Sequence, residues 1–166
     1  NEEEILTIWR ELGFKSLIDK SNFADTVTEQ KAIAVDIVTD VKQDMLADQM
    51  AIHVELENDH YHDCQAFGIA LTDGARTLYV PIDVAFTNEV LKNWLQDESK
   101  QKYIADSKAT QAFLQRLDIE LRGVTFDLLL ASYIANPAIS SDDVQALAKE
   151  FGYSEVQSNE AIYGKG

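Results

Sequence analysis

Three features of the sequence predict an α+β fold. β-like apolar runs crowd the stretch from Ala32 to Ile82, helical spacing takes over from Thr87, and Asp73-Gly74 separates two strand-like runs as a hairpin turn would. Strands come first and helices after.

Residues 3 to 12 place Ile5, Ile8, Trp9 and Leu12 on one helical face, and Gly13 stops that helix. A short amphipathic piece, Phe14 to Ile18, follows, and the polar stretch from Ser21 to Gln30 reads as a linker. Ala32 to Val38 is expected to be a strand and Asp40 to Ala47 a short helix. Met50 to Glu55 is apolar, β-permissive and followed by polar Glu57-Asn58-Asp59, as in a core strand that feeds a loop at the sheet edge. Ala66 to Leu71 and Thr77 to Ile82 form the hairpin, so an antiparallel meander is predicted.

The second half reads as helices around one short strand. Thr87 to Gln96 turns Val90, Leu91 and Trp94 inward, and Lys102 to Ala105 is the strand. Ser107 to Leu117 is a helix, Gly123 begins a turn, and Phe126 to Ala135 is an apolar helix ended by Asn136-Pro137. Its Leu128-Leu129-Leu130 is assigned to the core, and Ser132 to packing within the helix. Ser140 caps a last helix through Lys149, with Asp142 and Asp143 at its positive end.

Composition narrows the function classes. With 166 residues and 46% hydrophobic content, the chain supports a single core. A net charge of -15 repels phosphate, and the Lys and Arg residues are scattered, the densest group being Lys100, Lys102 and Lys108. Strong autonomous DNA binding is therefore not expected. The single cysteine, Cys64, leaves no internal disulfide framework and suits a cytoplasmic location. No apolar run reaches membrane-spanning length, and Asn1-Glu2-Glu3-Glu4 lacks the positive region of a signal peptide. Both ends, the second being Tyr163-Gly164-Lys165-Gly166, read as cut points in a longer polypeptide. There is no glycine-rich phosphate loop, and Cys64 has no defined triad.

The strand Met50 to Glu55 carries the chemistry. Residues two apart on a strand face the same side, so an Asp-x-Glu there can aim both carboxylates at one metal pair. Here the pair reads His53-x-Glu55. A neutral imidazole brings no negative charge to offset two Mg²⁺ ions, which prefer hard oxygen ligands. The plainer reading of His53 is an ordinary strand residue with its ring hydrogen-bonded.

The run Ile119-Glu120-Leu121-Arg122-Gly123-Val124-Thr125-Phe126-Asp127, with Leu128 to Pro137 after it, closely resembles the 3′-to-5′ exonuclease domain of bacterial DNA polymerase I, of family A. The likeness extends to Met50 through Leu71, to Asp142-Asp143-Val144 and to Tyr163-Gly164-Lys165-Gly166. Glu11 to Leu17 is similar to the segment that links the preceding 5′-nuclease domain to this one. The resemblance implies a linker over residues 1–30 and an exonuclease-like domain over 31–166, truncated at its C-terminus. It also implies a ribonuclease-H-like fold of the DnaQ-like exonuclease kind, a mixed central sheet flanked by helices, here lacking the C-terminal helices.

Active members of that family hold two Mg²⁺ ions on four carboxylates, assisted by a tyrosine. Matched position by position, the first aspartate falls on His53, its partner glutamate on Glu55 and the second aspartate on Thr110. The remaining tyrosine and aspartate would lie beyond Gly166. Asp106 is read as a helix N-cap one turn before Thr110. Tyr79-Val80-Pro81-Ile82-Asp83 imitates the spacing of the last motif, but an extended chain would hold Tyr79 and Asp83 about 13 Å apart.

The expectation is thus a non-catalytic exonuclease-like domain with no catalytic residue and no resident cofactor, acting as a structural scaffold beside the polymerase domain of the same polypeptide. DNA would be reached only through that parent. The alternative is an active proofreading exonuclease whose ligands come from Asp106 or from a segment after Gly166. A separate metal candidate is His60-x-His62-x-Cys64, whose alternate positions could share a side and take Zn²⁺.

Overall fold

Burial along residues 49–56 alternates, and that alternation sets the layout: Met50, Ile52 and Val54 are buried while Gln49 and His53 are exposed. The computed structural model describes residues 33–57 and 62–135, together with Val144, Leu147 and Ala148. All of them belong to one unit that begins at Ile33.

Six strands form one mixed sheet: β1 (Val35–Ile37), β2 (Gln49–Leu56), β3 (Ala66–Thr72), β4 (Thr77–Pro81), β5 (Gln101–Ile104) and β6 (Val124–Asp127), in the order β1-β4-β3-β2-β5-β6. β2, β3 and β4 make the antiparallel meander. β1 runs parallel to β4, β5 to β2, and β6 to β5. The helices described along their whole length are α1 (Ile82–Ala85), α2 (Glu89–Gln96), α3 (Ser107–Gln115) and α4 (Leu128–Ala135).

The core lies on the Ile52 side of the sheet. Met50, Ile52, Val54, Ile69, Leu71, Leu78, Val80 and Ile104 meet Leu91, Trp94 and Leu95 of α2 and Phe113 and Leu114 of α3. Fully burying each such aliphatic side chain is worth about 1.5–3 kcal/mol. The Phe86 and Phe113 rings meet edge to face at 5.6 Å. Among the described residues, Val35, Ile37, Val124 and Phe126, on the edge strands β1 and β6, are exposed.

One core-side position is a lysine. Lys102 on β5 is fully buried, donates from Nζ to the Asp97 carbonyl at 2.6 Å and lies 4.7 Å from the centre of the Trp94 ring. Its ammonium thereby caps the end of α2, where carbonyls lack helical partners. Gly123, at φ +69°, closes over the same corner, and a Cβ there would collide with the Lys100 carbonyl.

Several elements depart from expectation. The helix expected over Asp40 to Ala47 is a single 3₁₀ turn, Gln43–Met45. Val41 and Leu46 both turn into the core, and the Val41 carbonyl accepts from Asn88 Nδ2 at 3.2 Å, outside any helical pattern. The helix expected from Thr87 starts at Glu89, because Asn88 is its N-cap and accepts from the Leu91 amide at 3.0 Å. The hairpin strand ends at Pro81 and Ile82 opens α1. β1 is shorter than expected, although the Val38 amide still donates to the Tyr79 carbonyl at 2.8 Å.

The largest correction concerns the apolar run after Gly123. Val124 to Asp127 is a sixth strand, paired with β5, and α4 starts only at Leu128. The assignment of Leu128-Leu129-Leu130 to the core fails at Leu130, which is 59% exposed. Ser132 is buried, with its hydroxyl donating to the Leu129 carbonyl at 2.8 Å.

Of the last expected helix, Val144, Leu147 and Ala148 are helical and Leu147 is fully buried. The rest of it, the helices and linker read before Ala32, Asn136-Pro137 and the closing Tyr163 to Gly166 lie outside the described residues. No helix among the described residues is long and apolar enough to cross a membrane.

Candidate functional site

β2 presents His53 and Glu55 on the face away from the core, as its two-residue period requires. Their side chains are 56% and 25% exposed, and His53 Nε2 lies 3.0 Å from Glu55 Oε2. Across the sheet, His53 pairs with Ala70 and Glu55 with Gly68, while Ala70 pairs in turn with Tyr79 on β4. Small residues therefore floor the space between the His53–Glu55 pair and the Tyr79 ring.

Gly68 is what allows the ring to lie there. A Cβ at this position would stand 2.7 Å from the Tyr79 hydroxyl and 2.6 Å from the Val80 carbonyl. The result is an open hollow of about 310 Å³ lined by His53, Glu55, Phe67, Ala70 and Tyr79. A second hollow of about 310 Å³ shares His53 as a wall and continues along the apolar face past Ala51, Tyr103, Phe126 and Leu128. The Tyr103 and Phe126 rings stand 6.5 Å apart beside it.

Thr110 is held by its own helix. It is buried on α3, the helix that sends Phe113 and Leu114 into the core on the Ile52 side, and its hydroxyl donates to the Asp106 carbonyl at 2.8 Å. That bond to the residue four positions earlier is an ordinary way for a helical threonine to satisfy itself. Asp106 is the N-cap of α3, accepting from the Ala109 amide at 2.9 Å. Tyr79 and Asp83, the spaced pair, fall on a strand and on the separate helix α1.

Asp127, noted in the sequence only as part of the matched run, has a structural role that the sequence reading did not assign. One carboxylate oxygen accepts from the Ser107 amide at 2.8 Å and the other from the Leu130 amide at 2.9 Å, so it ties the start of α3 to the start of α4. Burial pushes its carboxyl up, but the hydrogen bonds from Ser107, Leu130 and Leu129 outweigh this and hold it below the usual carboxylate range. The available signal was an aspartate directly before an apolar run, the pattern of an N-cap.

The second metal candidate is only partly in view. His62 is exposed in a turn, whereas Cys64 is buried and its carbonyl accepts from Arg116 Nη1 at 2.9 Å. His60 lies outside the described residues. Among the described residues, no three His, Cys, Asp or Glu side chains come together as a metal-ligating group.

The donor set at β2 does not suit a pair of Mg²⁺ ions. It offers one carboxylate and one imidazole, and Mg²⁺ wants near-octahedral oxygen ligands with charge to match.

Comparison with known proteins places the chain clearly. The family model described as "DNA polymerase I, ribonuclease H-like domain" matches residues 52–166. DNA polymerase I of Bacillus subtilis is 37% identical over 170 residues, and that of Geobacillus stearothermophilus 39% over 168. Each alignment covers 100% of this chain but 19% of the relative, so the chain spans about a fifth of the length of these curated relatives. Among solved structures, Escherichia coli RNase D superposes with a TM-score of 0.60 at 16% identity, over 78% of this chain and 36% of that one. The POL domain of Pol1 from M. smegmatis, in complex with DNA primer-template and dNTP, gives 0.60 at 21% identity, over 71% and 22%. Brucella melitensis NrnC with bound Mg²⁺ gives 0.57 at 15% identity, over 78% and 70%. These similarities show a ribonuclease H-like exonuclease fold.

Proposed function

Because the chain belongs to the family of ribonuclease H-like domains of DNA polymerase I, we propose that it is a non-catalytic exonuclease-like domain that serves as a rigid scaffold beside the polymerase domain of the same polypeptide. The observation that carries this reading is the His53–Glu55 pair. Where a two-metal nuclease needs two carboxylates, one imidazole stands 3.0 Å from the remaining one.

The surroundings support the same reading. Thr110 is buried and satisfied by its own helix, and Asp106 is engaged as the N-cap of α3. A net charge of -15 disfavours the nucleic-acid backbone, which leaves DNA contact to the rest of the parent polymerase. A cytoplasmic location and a role in DNA replication and repair follow from the parent.

The experiment uses the longer polypeptide with a 3′-end-labelled oligonucleotide and Mg²⁺ or Mn²⁺. The expected result is no shortening of the labelled strand. Shortening that scales with protein and disappears on Glu55→Ala would overturn the proposal.

A further inference from the structure

The corner where α2 meets β5 and β6 encloses a cation whose charged neighbours are all engaged with other groups. Lys102 is fully buried, with the Asp97 carbonyl 2.6 Å from its Nζ and the centre of the Trp94 ring at 4.7 Å. At the end of α2, the Asp97 carboxylate accepts from the Ser99 amide and hydroxyl at 2.9 and 2.7 Å. In the turn before β5, Lys100 Nζ is paired with Asp48 Oδ1 at 2.6 Å. Before β6, Arg122 is paired with Glu120 and also feels the charge of Glu98. The neighbour on β2 is Met50, which is apolar. Among the described residues, no carboxylate forms an ion pair with Lys102.

The backbone closes over this cation. The Lys102 amide donates to the Gly123 carbonyl at 2.8 Å, and a Cβ on Gly123 would stand 2.9 Å from the Glu98 carbonyl and 3.1 Å from that of Asp97. A buried ammonium with no counter-ion against it carries a desolvation cost that the neutral amine does not. What the charge gives back is local. The carbonyls at the end of α2 are the negative pole of the helix, and the Trp94 face attracts a cation. Loss of the proton therefore relieves the core and weakens both contacts at once.

We propose that Lys102 is a pH-sensitive latch: its ammonium fastens the last turn of α2 to β5, and release of its proton to solvent loosens that turn while the fold as a whole gains stability. The latch stands on this corner alone and holds whether or not the domain is a scaffold. Its neighbours leave the alkaline window clear. The Ser99 hydrogen bonds hold Asp97 below the usual carboxylate range, and the Asp48 hydrogen bond raises Lys100, whereas burial brings Lys102 down to about 8.

NMR titration of the 166-residue chain from roughly neutral pH to beyond the ordinary lysine range tests it. The Lys102 Cε shift, the Asp97 carbonyl-carbon shift and the Trp94 indole Nε1 shift should move together with one midpoint near 8. Backbone order parameters at Leu95, Gln96 and Asp97 should fall above that midpoint. In Lys102→Met, which cannot titrate, the Asp97 and Trp94 signals should stay flat across the window. A Lys102 midpoint at its ordinary 10.5, Asp97 and Trp94 signals that do not follow it, or order parameters that do not change would each overturn the proposal. These are read on the unsubstituted chain, so the test stands even if the methionine variant fails to fold. The strand-shortening assay reads the scaffold proposal separately, so the two can fail independently.

Discussion

His53 Nε2 and Glu55 Oε2 lie 3.0 Å apart on the face of β2 away from Ile52, while Thr110, the third matched position, is buried on α3 with its hydroxyl bonded to the Asp106 carbonyl. On the proposed reading, a nuclease site lacks its charge at two points for two different reasons. At one, an imidazole has taken a carboxylate's place beside Glu55. At the other, a hydroxyl is tied into its own helix.

Restoring charge should restore hard-ion binding. In a polypeptide extended past Gly166, His53→Asp together with Thr110→Asp is expected to raise Mg²⁺ affinity, measured by calorimetry, above that of the parent. No gain would mean that the matched positions do not converge on one site.

Thr110→Asp alone should be destabilising. The new carboxylate would sit where the threonine is 6% exposed and would lose the bond to the Asp106 carbonyl. A cost of about 1–3 kcal/mol is expected in urea unfolding. Thr110→Ser, which keeps the hydroxyl, should lose much less.

Lys102 predicts an alkaline gain in stability. Burial holds its ammonium down to about 8 from 10.5; the Asp97 charge opposes this and the Lys100 charge adds to it. Between those values the unfolded chain binds more protons than the folded one, so stability rises as pH climbs from about 8 to 10.5. Lys102→Met should abolish this slope, which urea titrations of the two proteins across that window would reveal.

Asp127 predicts the opposite limb. Its carboxyl is held below the usual range, so its contribution is complete above pH 3.8 and is lost as pH falls through the lower folded value. Asp127→Ala removes the acceptor for both the Ser107 and Leu130 amides and should cost about 0.5–2 kcal/mol at neutral pH. The difference from the parent should shrink in acid, as followed by thermal unfolding.

Much of this was legible because local rules and packing agree. The hairpin followed from Asp73-Gly74, where Gly74 takes φ +89° and the Asp73 carboxylate accepts from the Ala75 and Arg76 amides at 2.9 and 2.8 Å. β2 followed from its apolar β-permissive run, and the cap at Asp106 from its place before Ser107. β6 did not, because Val124 and Phe126 continue without a break into Leu128 to Leu130, and an apolar run carries no period that separates strand from helix. The Tyr79 wall was hidden for another reason. It depends on the registers that set His53 against Ala70 and Ala70 against Tyr79, and a sequence does not state register.

The most direct test of the central claim is Mg²⁺ titration of the longer polypeptide, comparing the parent with Glu55→Ala. With one carboxylate and one imidazole at β2, no saturable Mg²⁺ binding that depends on Glu55 is predicted. Two Mg²⁺ ions bound by the parent and lost in Glu55→Ala would contradict it.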